Sequence, residues 1–253
     1  MSVSVDLRGR RVLVTGASSG IGAAVCRSIV SCGGSVAMLA RRKERLEELR
    51  AELGEGAVAV PCDVTDLEAL ETSVEEAARA LGGLDGIVAV AGKSIVGTIT
   101  TGNPERWRDL IDLNLVAPLA TVRYAVGHFP SAGRRDVVLV ASTGGITPKA
   151  GVGIYAASKR GLRAAFDAMR LELAPVDVNV SCVMPGMFET EGLTLEGLVF
   201  DGEVPPDDAE WFVPGAGPAS PADLADAIAF TISRPEGFCI NELVVRPTGQ
   251  LNP

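Results

Sequence analysis

Three side chains of this 253-residue chain have the types and spacing for acid–base chemistry at a carbonyl or hydroxyl group. Tyr155 and Lys159 stand four apart in Y-A-A-S-K, at the start of a helical pattern, so both project from one helix face. A free tyrosine has a pKa of about 10 and is a poor base at neutral pH. A neighbouring ammonium favours the phenolate and turns the pair into a proton relay. Ser142 follows the apolar run Val137–Val140 and precedes Gly144 and Gly145. Strand ends converge along one edge of an α/β sheet, so Ser142 and the Tyr155 helix start are expected to meet there.

A second group suits a phosphate. In R-V-L-V-T-G-A-S-S-G-I-G, Val12, Leu13 and Val14 read as a strand buried on both faces. Gly16, Gly20 and Gly22 follow, with Ser18, Ser19 and Ile21 between them, and then the helix formers of 23–29. Glycines let the backbone approach a ligand closely, and a helix start offers unpaired N–H groups and partial positive charge to a pyrophosphate. Dinucleotide sites often hold the adenosine ribose with an acidic side chain about 20 residues past the glycines. Here no Asp or Glu occurs between Ile21 and Lys43; the strand 35–40 is followed by Arg41, Arg42 and Lys43. Cations at a helix start oppose its dipole, whereas guanidinium groups bind a 2′-phosphate by charge and fork geometry. The expected cofactor is therefore NADP(H), with Ser18 adding a hydroxyl to the same phosphate. Asp63, in Cys62-Asp63-Val64, has two readings: an acceptor for the adenine amino group, or part of the cap around Thr65.

The elements that must position these groups alternate throughout. Strand candidates are 11–15, 35–40, 57–61, 86–90, 136–141, 178–183 and 240–246. Between them lie helical repeats: Leu46, Leu49 and Leu53; Leu67, Leu70, Val74, Ala77 and Leu81; Leu162, Phe166, Met169 and Leu173. Thr65 with Glu68 reads as a capping box, Asn103-Pro104 as a cap with a first-turn proline, and Ser220-Pro221 with Asp223 as the last helix start. The alternation predicts an α/β fold: a parallel sheet of seven strands with helices on both faces, all in one domain. The stretch 188–219 breaks the rhythm. It is rich in Gly, Pro, Asp and Glu, with Leu193, Leu195, Leu198, Val199, Phe200, Trp211 and Phe212 scattered through it. It reads as a substrate lid containing a short apolar helix.

Composition narrows the class. Apolar residues make up 47% and charged residues 22%, which is globular. A net charge of −9 argues against nucleic acid and anionic membranes as partners. No long apolar run or signal sequence stands out. The five scattered cysteines read as reduced thiols of a cytoplasmic protein. The cysteine spacing and a single histidine, His128, argue against a metal site; His128 reads as a capping or surface residue near a helix end.

Taken together, these residues resemble the short-chain dehydrogenase/reductases over nearly the whole chain. Thr15-Gly16-Ala17-Ser18-Ser19-Gly20-Ile21-Gly22 matches the family's T-G-x-x-x-G-x-G turn, and Tyr155-x-x-x-Lys159 its active-site signature. Asn114, in Asp112-Leu113-Asn114-Leu115, matches the helix asparagine of the catalytic tetrad, and Ser142 the serine. Pro185-Gly186 and Thr190 match the segment that meets the nicotinamide. The resemblance implies a Rossmann-like, doubly wound, parallel seven-stranded sheet of order 3-2-1-4-5-6-7 and roles for each residue. Tyr155 is the general acid or base, Ser142 binds the substrate oxygen, Lys159 tunes the phenol and holds the ribose, and Asn114 fixes a relay water. Phe188 and Thr190 hold the carboxamide. One departure stands out: where the family has N-N-A-G, this chain has Ala89-Val90-Ala91-Gly92. The glycine is kept, both amides are lost, and weaker local rigidity or cofactor binding is expected.

The function expected is an NADP(H)-dependent ketoreductase acting on a small-molecule carbonyl or alcohol. A non-catalytic NADP(H)-binding regulator on the same fold is the alternative, and an epimerase or dehydratase a third. Ser94, Ile95, Val96, Gly144, Gly145, Ile146 and Met187 are expected to wall a mostly apolar substrate pocket. The ending 241–248 looks like that of members reducing small aldehydes and hydroxy acids. The resemblance also implies a homo-oligomer, dimer or tetramer, built through the helices near 104–128 and 154–174 and the last strand.

Overall fold

The computed structural model describes residues 5–191, 199–204 and 211–251. Seven parallel strands form its centre: β1 (Arg11–Thr15), β2 (Ser35–Ala40), β3 (Ala57–Pro61), β4 (Gly86–Ala89), β6 (Asp136–Val140), β7 (Asn179–Pro185) and β9 (Glu242–Val245). Their order is β3-β2-β1-β4-β6-β7-β9. Counting only these strands, that is the expected 3-2-1-4-5-6-7. The central strands are apolar on both faces because helices cover both. Alternate residues part company: Leu13, Ile87, Val137 and Leu139 pack under α3 (Leu67–Leu81), α5 (Ala117–Ala125) and α6 (Gly153–Leu173). Val12, Val14, Val88, Val138 and Val140 pack on α1 (Gly20–Ser31), α2 (Lys43–Leu53) and α7 (Pro221–Ile232).

The helix starts follow local chemistry. Asn103 accepts from the Glu105 amide to start α4 (Pro104–Ile111), and Ser220 accepts from the Ala222 amide to start α7. The expected Thr65 cap is corrected: Asp66 caps α3 by accepting from the Ala69 amide, while the Thr65 hydroxyl donates to Asp63. Asp66 wins because its carboxylate reaches the third amide of the helix. Between α4 and α5 the chain makes a π-helical turn, Asp112–Val116. The helical stretch Pro104–His128 is long and apolar enough, by length and composition, to cross a bilayer, yet it packs on α3 and α6. His128 closes that stretch half-buried, its carbonyl accepting from the Leu84 amide.

A second, two-stranded ribbon was not legible in advance: β5 (Ile95–Val96) pairs in parallel with β8 (Val199–Phe200). Buried Asp201 fixes it by accepting from the Asn103 amide at 2.8 Å and from the Trp107 indole at 3.1 Å. The expected apolar helix of the 188–219 stretch falls largely on residues 192–198 and 205–210, outside the described residues. The stretch is closed at its base by a bridge between Phe188 and Ala219.

Candidate active site

All the strands of a parallel sheet end on one edge, and the turns leaving that edge build the cleft. Thr15 ends β1, and its hydroxyl accepts from the Val90 and Ala91 amides, each at 3.2 Å. Gly16 then turns with φ +70°, so close to β4 that a Cβ would lie 2.9 Å from the Ala91 backbone. At Gly20, φ +52°, a Cβ would lie 3.1 Å from the Thr190 methyl. Any other residue at these two positions would be strained and would push the cleft walls apart. Ser19 precedes α1 without capping it, because its hydroxyl is engaged elsewhere.

That engagement is with Arg42, at the end of β2. Arg42 donates to Ser18 Oγ from Nε (3.1 Å) and Nη2 (3.0 Å), and to Ser19 Oγ from Nη2 (2.5 Å). Its Nη1 donates to Glu191 at 2.8 Å, and Arg45 pairs with the other oxygen of the same carboxylate. The two guanidiniums hold the Glu191 carboxyl below the usual range by hydrogen bonding. Arg41 points the other way, to Asp63 at 3.6 Å, with most of its side chain exposed. Burial pushes the Asp63 carboxyl up, but hydrogen bonds from Thr65 and the pull of Arg41 outweigh it, leaving it below its ordinary value. Asp63 thus serves the turn before α3 while also lining the cleft. A volume of about 400 Å³ is bounded here by Gly16, Ser18–Gly22, Arg41, Arg42, Asp63, Val64, Ala91, Gly92 and Thr190, among others.

The cleft continues. A further volume of about 170 Å³ shares Ile21, Val90, Gly92 and Thr190 with the first and adds Ser142, Tyr155, Lys159, Pro185, Gly186 and Phe188. The sequence-identified serine, tyrosine and lysine therefore line one groove that starts at Arg42. A larger hollow of about 880 Å³ lies between α1 and α7, and neither Tyr155 nor Lys159 lines it.

At the deep end, Ser142 accepts from the Gly144 amide at 3.1 Å, which sets its hydroxyl beside the Tyr155 ring. Burial raises the Tyr155 pKa, and a hydrogen bond with Ser142 opposes the rise. The resemblance implies that Lys159 tunes the phenol; the shift at Tyr155 itself has burial and the Ser142 hydrogen bond as its causes. The buried Lys159 ammonium donates to the Val140 carbonyl at 3.0 Å, and burial lowers its pKa to about 8. The helix puts both groups on one face, but the long lysine side chain turns toward the strand end.

Asn114 sits in the π-helical turn, fully buried. Its Oδ1 accepts from the Lys93 amide at 3.0 Å, and its Nδ2 donates to the Lys93 carbonyl at 2.9 Å and to Ser158 Oγ at 3.1 Å. Ser158 in turn donates to the Tyr155 carbonyl at 2.7 Å. Gly92 leaves room at this junction: a Cβ there would lie 3.1 Å from Asn114 Oδ1 and 3.2 Å from Lys159 Nζ. The segment Ala89-Val90-Ala91-Gly92 is held from two sides. Thr15 satisfies the strand end from one side and Asn114 clamps Lys93 from the other.

Several contributors were not found from sequence. Ser158 was discoverable, lying one helical turn from Tyr155. Arg45 was too, one turn beyond Arg42. Glu191 and Gln250 act across the chain; Gln250 Oε1 accepts from the Met187 amide at 2.9 Å. Lys149 holds a buried ammonium, without a hydrogen-bond partner among the described residues, 3.5 Å from the centre of the Trp211 ring. Among the described residues no cluster of three or more His, Cys, Asp or Glu could hold a metal ion.

Comparison with known proteins gives consistent neighbours. The family model described as short chain dehydrogenase matches residues 10–196. A glycine betaine reductase of Emericella nidulans is 34% identical over 95% of this chain, although the chain spans only 19% of that protein's length. A metagenomic short-chain oxidoreductase solved in complex with NADP is 30% identical, with TM-score 0.79 over 97% of this chain and 100% of the other. A 3-ketoacyl-(acyl-carrier-protein) reductase from Brucella melitensis, complexed with NADH, is 25% identical, with TM-score 0.83 over 95% and 98% of the two chains.

Proposed function

Because the chain belongs to the short-chain dehydrogenase/reductase family, an oxidoreductase family, we propose that it is an NADP(H)-dependent reductase converting a small-molecule carbonyl to an alcohol, or the reverse. The observation that carries this reading is the continuous groove: Arg42 with Ser18 and Ser19 at one end, Tyr155 with Ser142 at the other. Its glycine turn packs backbone on backbone at Gly16, where a Cβ would strike Ala91, and the start of α1 that follows offers unpaired N–H groups to a pyrophosphate. Arg42 and Arg45 supply positive charge where an adenosine 2′-phosphate would sit. Asp63, Val64 and Ala91 line the adenosine half, and Pro185, Gly186, Phe188 and Thr190 the nicotinamide half.

The bound dinucleotide supplies or accepts the hydride. Tyr155 holds its proton at neutral pH because burial disfavours the phenolate, so it is set up to donate to an oxygen that gains negative charge. Ser142, fixed by the Gly144 amide, hydrogen-bonds the same oxygen and stabilises that charge. Lys159 spends one N–H on Val140 and keeps two for a ribose hydroxyl and for returning a proton to the phenol. Asn114, clamped by Lys93 and Ser158, positions this relay. The stretch 188–219, whose ends meet in the Phe188–Ala219 bridge, is read as the substrate lid. Five unpaired cysteines fit a cytoplasmic location, and a homo-oligomer remains part of this reading. A panel of ketones and aldehydes with NADPH or NADH, followed by nicotinamide absorbance, tests it. Turnover with NADPH supports it; binding of NADPH without turnover of any panel member favours the regulator, and an NADH preference overturns the cofactor assignment.

A further inference from the structure

The phosphate end of the groove contains an acid where a bound 2′-phosphate needs none. Glu191 arrives from the far side of the sheet, directly after Thr190, whose methyl packs against Gly20. Its two oxygens engage Arg42 and Arg45, while Arg42 keeps Ser18 and Ser19 as further partners. Two cations, two hydroxyls and one carboxylate thus share one corner of the cleft, and Glu191 lines it. The side chains of Arg42, Arg45 and Glu191 are each about half exposed.

We propose that Glu191 is a specificity-determining residue of the cofactor site: its carboxylate takes the guanidinium positions that the 2′-phosphate of NADP(H) requires, and a 2′-phosphorylated nucleotide binds by displacing it. The inference rests on the NADP(H) reading above and deepens it. Half-exposed ion pairs are worth little, so the carboxylate is displaceable. A phosphate brings more negative charge and three acceptor oxygens, and it outcompetes a carboxylate for the two forks. A nucleotide with a free 2′-hydroxyl offers no such replacement and leaves Glu191 where it is. Glu191 therefore taxes phosphorylated cofactor while keeping the arginines paired in the free protein.

The test compares Glu191→Gln and Glu191→Ala with the unaltered protein, using 2′,5′-ADP and 5′-ADP as cofactor fragments, then NADPH and NADH. Binding is read by calorimetry and by nicotinamide fluorescence. Removing the competitor should tighten 2′,5′-ADP and NADPH by about two- to fivefold, as expected for a surface pair, and leave 5′-ADP and NADH unchanged. Unchanged or weakened NADPH binding overturns the proposal, and so does an equal gain for NADPH and NADH. If the unaltered protein binds NADPH no better than NADH, the NADP(H) reading itself has failed. If it prefers NADPH, and Arg42→Ala removes that preference while Glu191→Gln changes nothing, only the role of Glu191 has failed.

Discussion

The two ends of the sheet bury charge in opposite ways. At the amino end, Arg10 bonds Asp85 (2.7 Å) and Asp136 (2.8 Å), Arg134 bonds Asp136 (2.6 Å), and Arg11 bonds Asp85 (3.1 Å). The remaining donors of Arg10 and Arg134 reach the carbonyls of Thr231, Ile232, Pro235 and Phe238. Burial pulls the Arg10 guanidinium down, but Asp136 and Asp85 outweigh it and hold it above its ordinary value. At the carboxyl end, Lys159 is more deeply buried, donates to one carbonyl and has no ion pair among the described residues. Burial dominates there and takes its pKa to about 8. A saturated charge network is scaffold; a charge left short of partners is held ready for a ligand.

The largest expected effect separates the two ends by function. Tyr155→Phe removes the proton donor and keeps the ring, so turnover should fall about 10²–10⁴-fold while NADPH affinity and unfolding midpoint stay nearly constant. Steady-state rates beside a cofactor titration check it. Turnover that survives the change ends the catalytic assignment.

Asp136→Ala should do the reverse. It leaves Arg10 and Arg134 facing each other without their shared carboxylate, costing about 3–5 kcal/mol. Urea unfolding measures the loss. A cost under about 1 kcal/mol would mean that the amino-end network is ornamental, and the contrast between the ends would dissolve.

Lys159→Met tests the other side with the opposite sign. At pH 7 the lysine is protonated in both folded and unfolded chains, so the full cost of burying its charge is present. Replacing it with a methylene chain of similar length should stabilise the protein by roughly 1–3 kcal/mol while abolishing turnover. Above pH 8 the folded lysine gives up its proton while the unfolded one keeps it up to about 10.5. The unaltered protein therefore gains stability over that window, and the advantage of methionine shrinks. Unfolding at pH 7 and pH 9.5 checks both sign and trend. Destabilisation at pH 7 would place Lys159 with the scaffold.

The same contrast marks what sequence could reveal. Strand positions, helix faces and the caps at Asn103 and Ser220 were legible because period and capping are local, while the strand order came with the family resemblance. The glycine turn, Ser142, Tyr155 and Lys159 were legible because the spacing of each is fixed by one element. What escaped depends on distant segments. Nothing near Glu191 announces Arg42 and Arg45, and nothing in Arg10 announces Asp85 or Asp136, 75 and 126 residues away. The direction of Lys159 escaped for a related reason: helical spacing sets where a side chain starts, while the nearest unpaired carbonyl sets where its ammonium ends. The Asp66 cap was missed by one residue, because Thr65 and Asp66 are both good caps and only the path of the chain chooses.

The smallest effect concerns how the end of β4 is held by a neutral side chain. Two half-buried amides, of Val90 and Ala91, converge on one neutral acceptor, Thr15 Oγ1. Both bonds are long, at 3.2 Å, and they share one oxygen, so each is weaker than an ordinary amide bond. Thr15→Val keeps the shape and the methyl packing but strands both donors, which should cost about 1–2 kcal/mol. It should also loosen the wall that Gly16 packs against, raising the NADPH dissociation constant severalfold. Thr15→Ser keeps the acceptor and should recover most of the affinity while losing only the methyl contacts. The pair of variants decides whether the hydroxyl does the work that the absent asparagine amides would do. Were valine as good as serine in both unfolding and cofactor binding, the end of β4 would be held by packing alone, and the covering role of Thr15 would have to be given up.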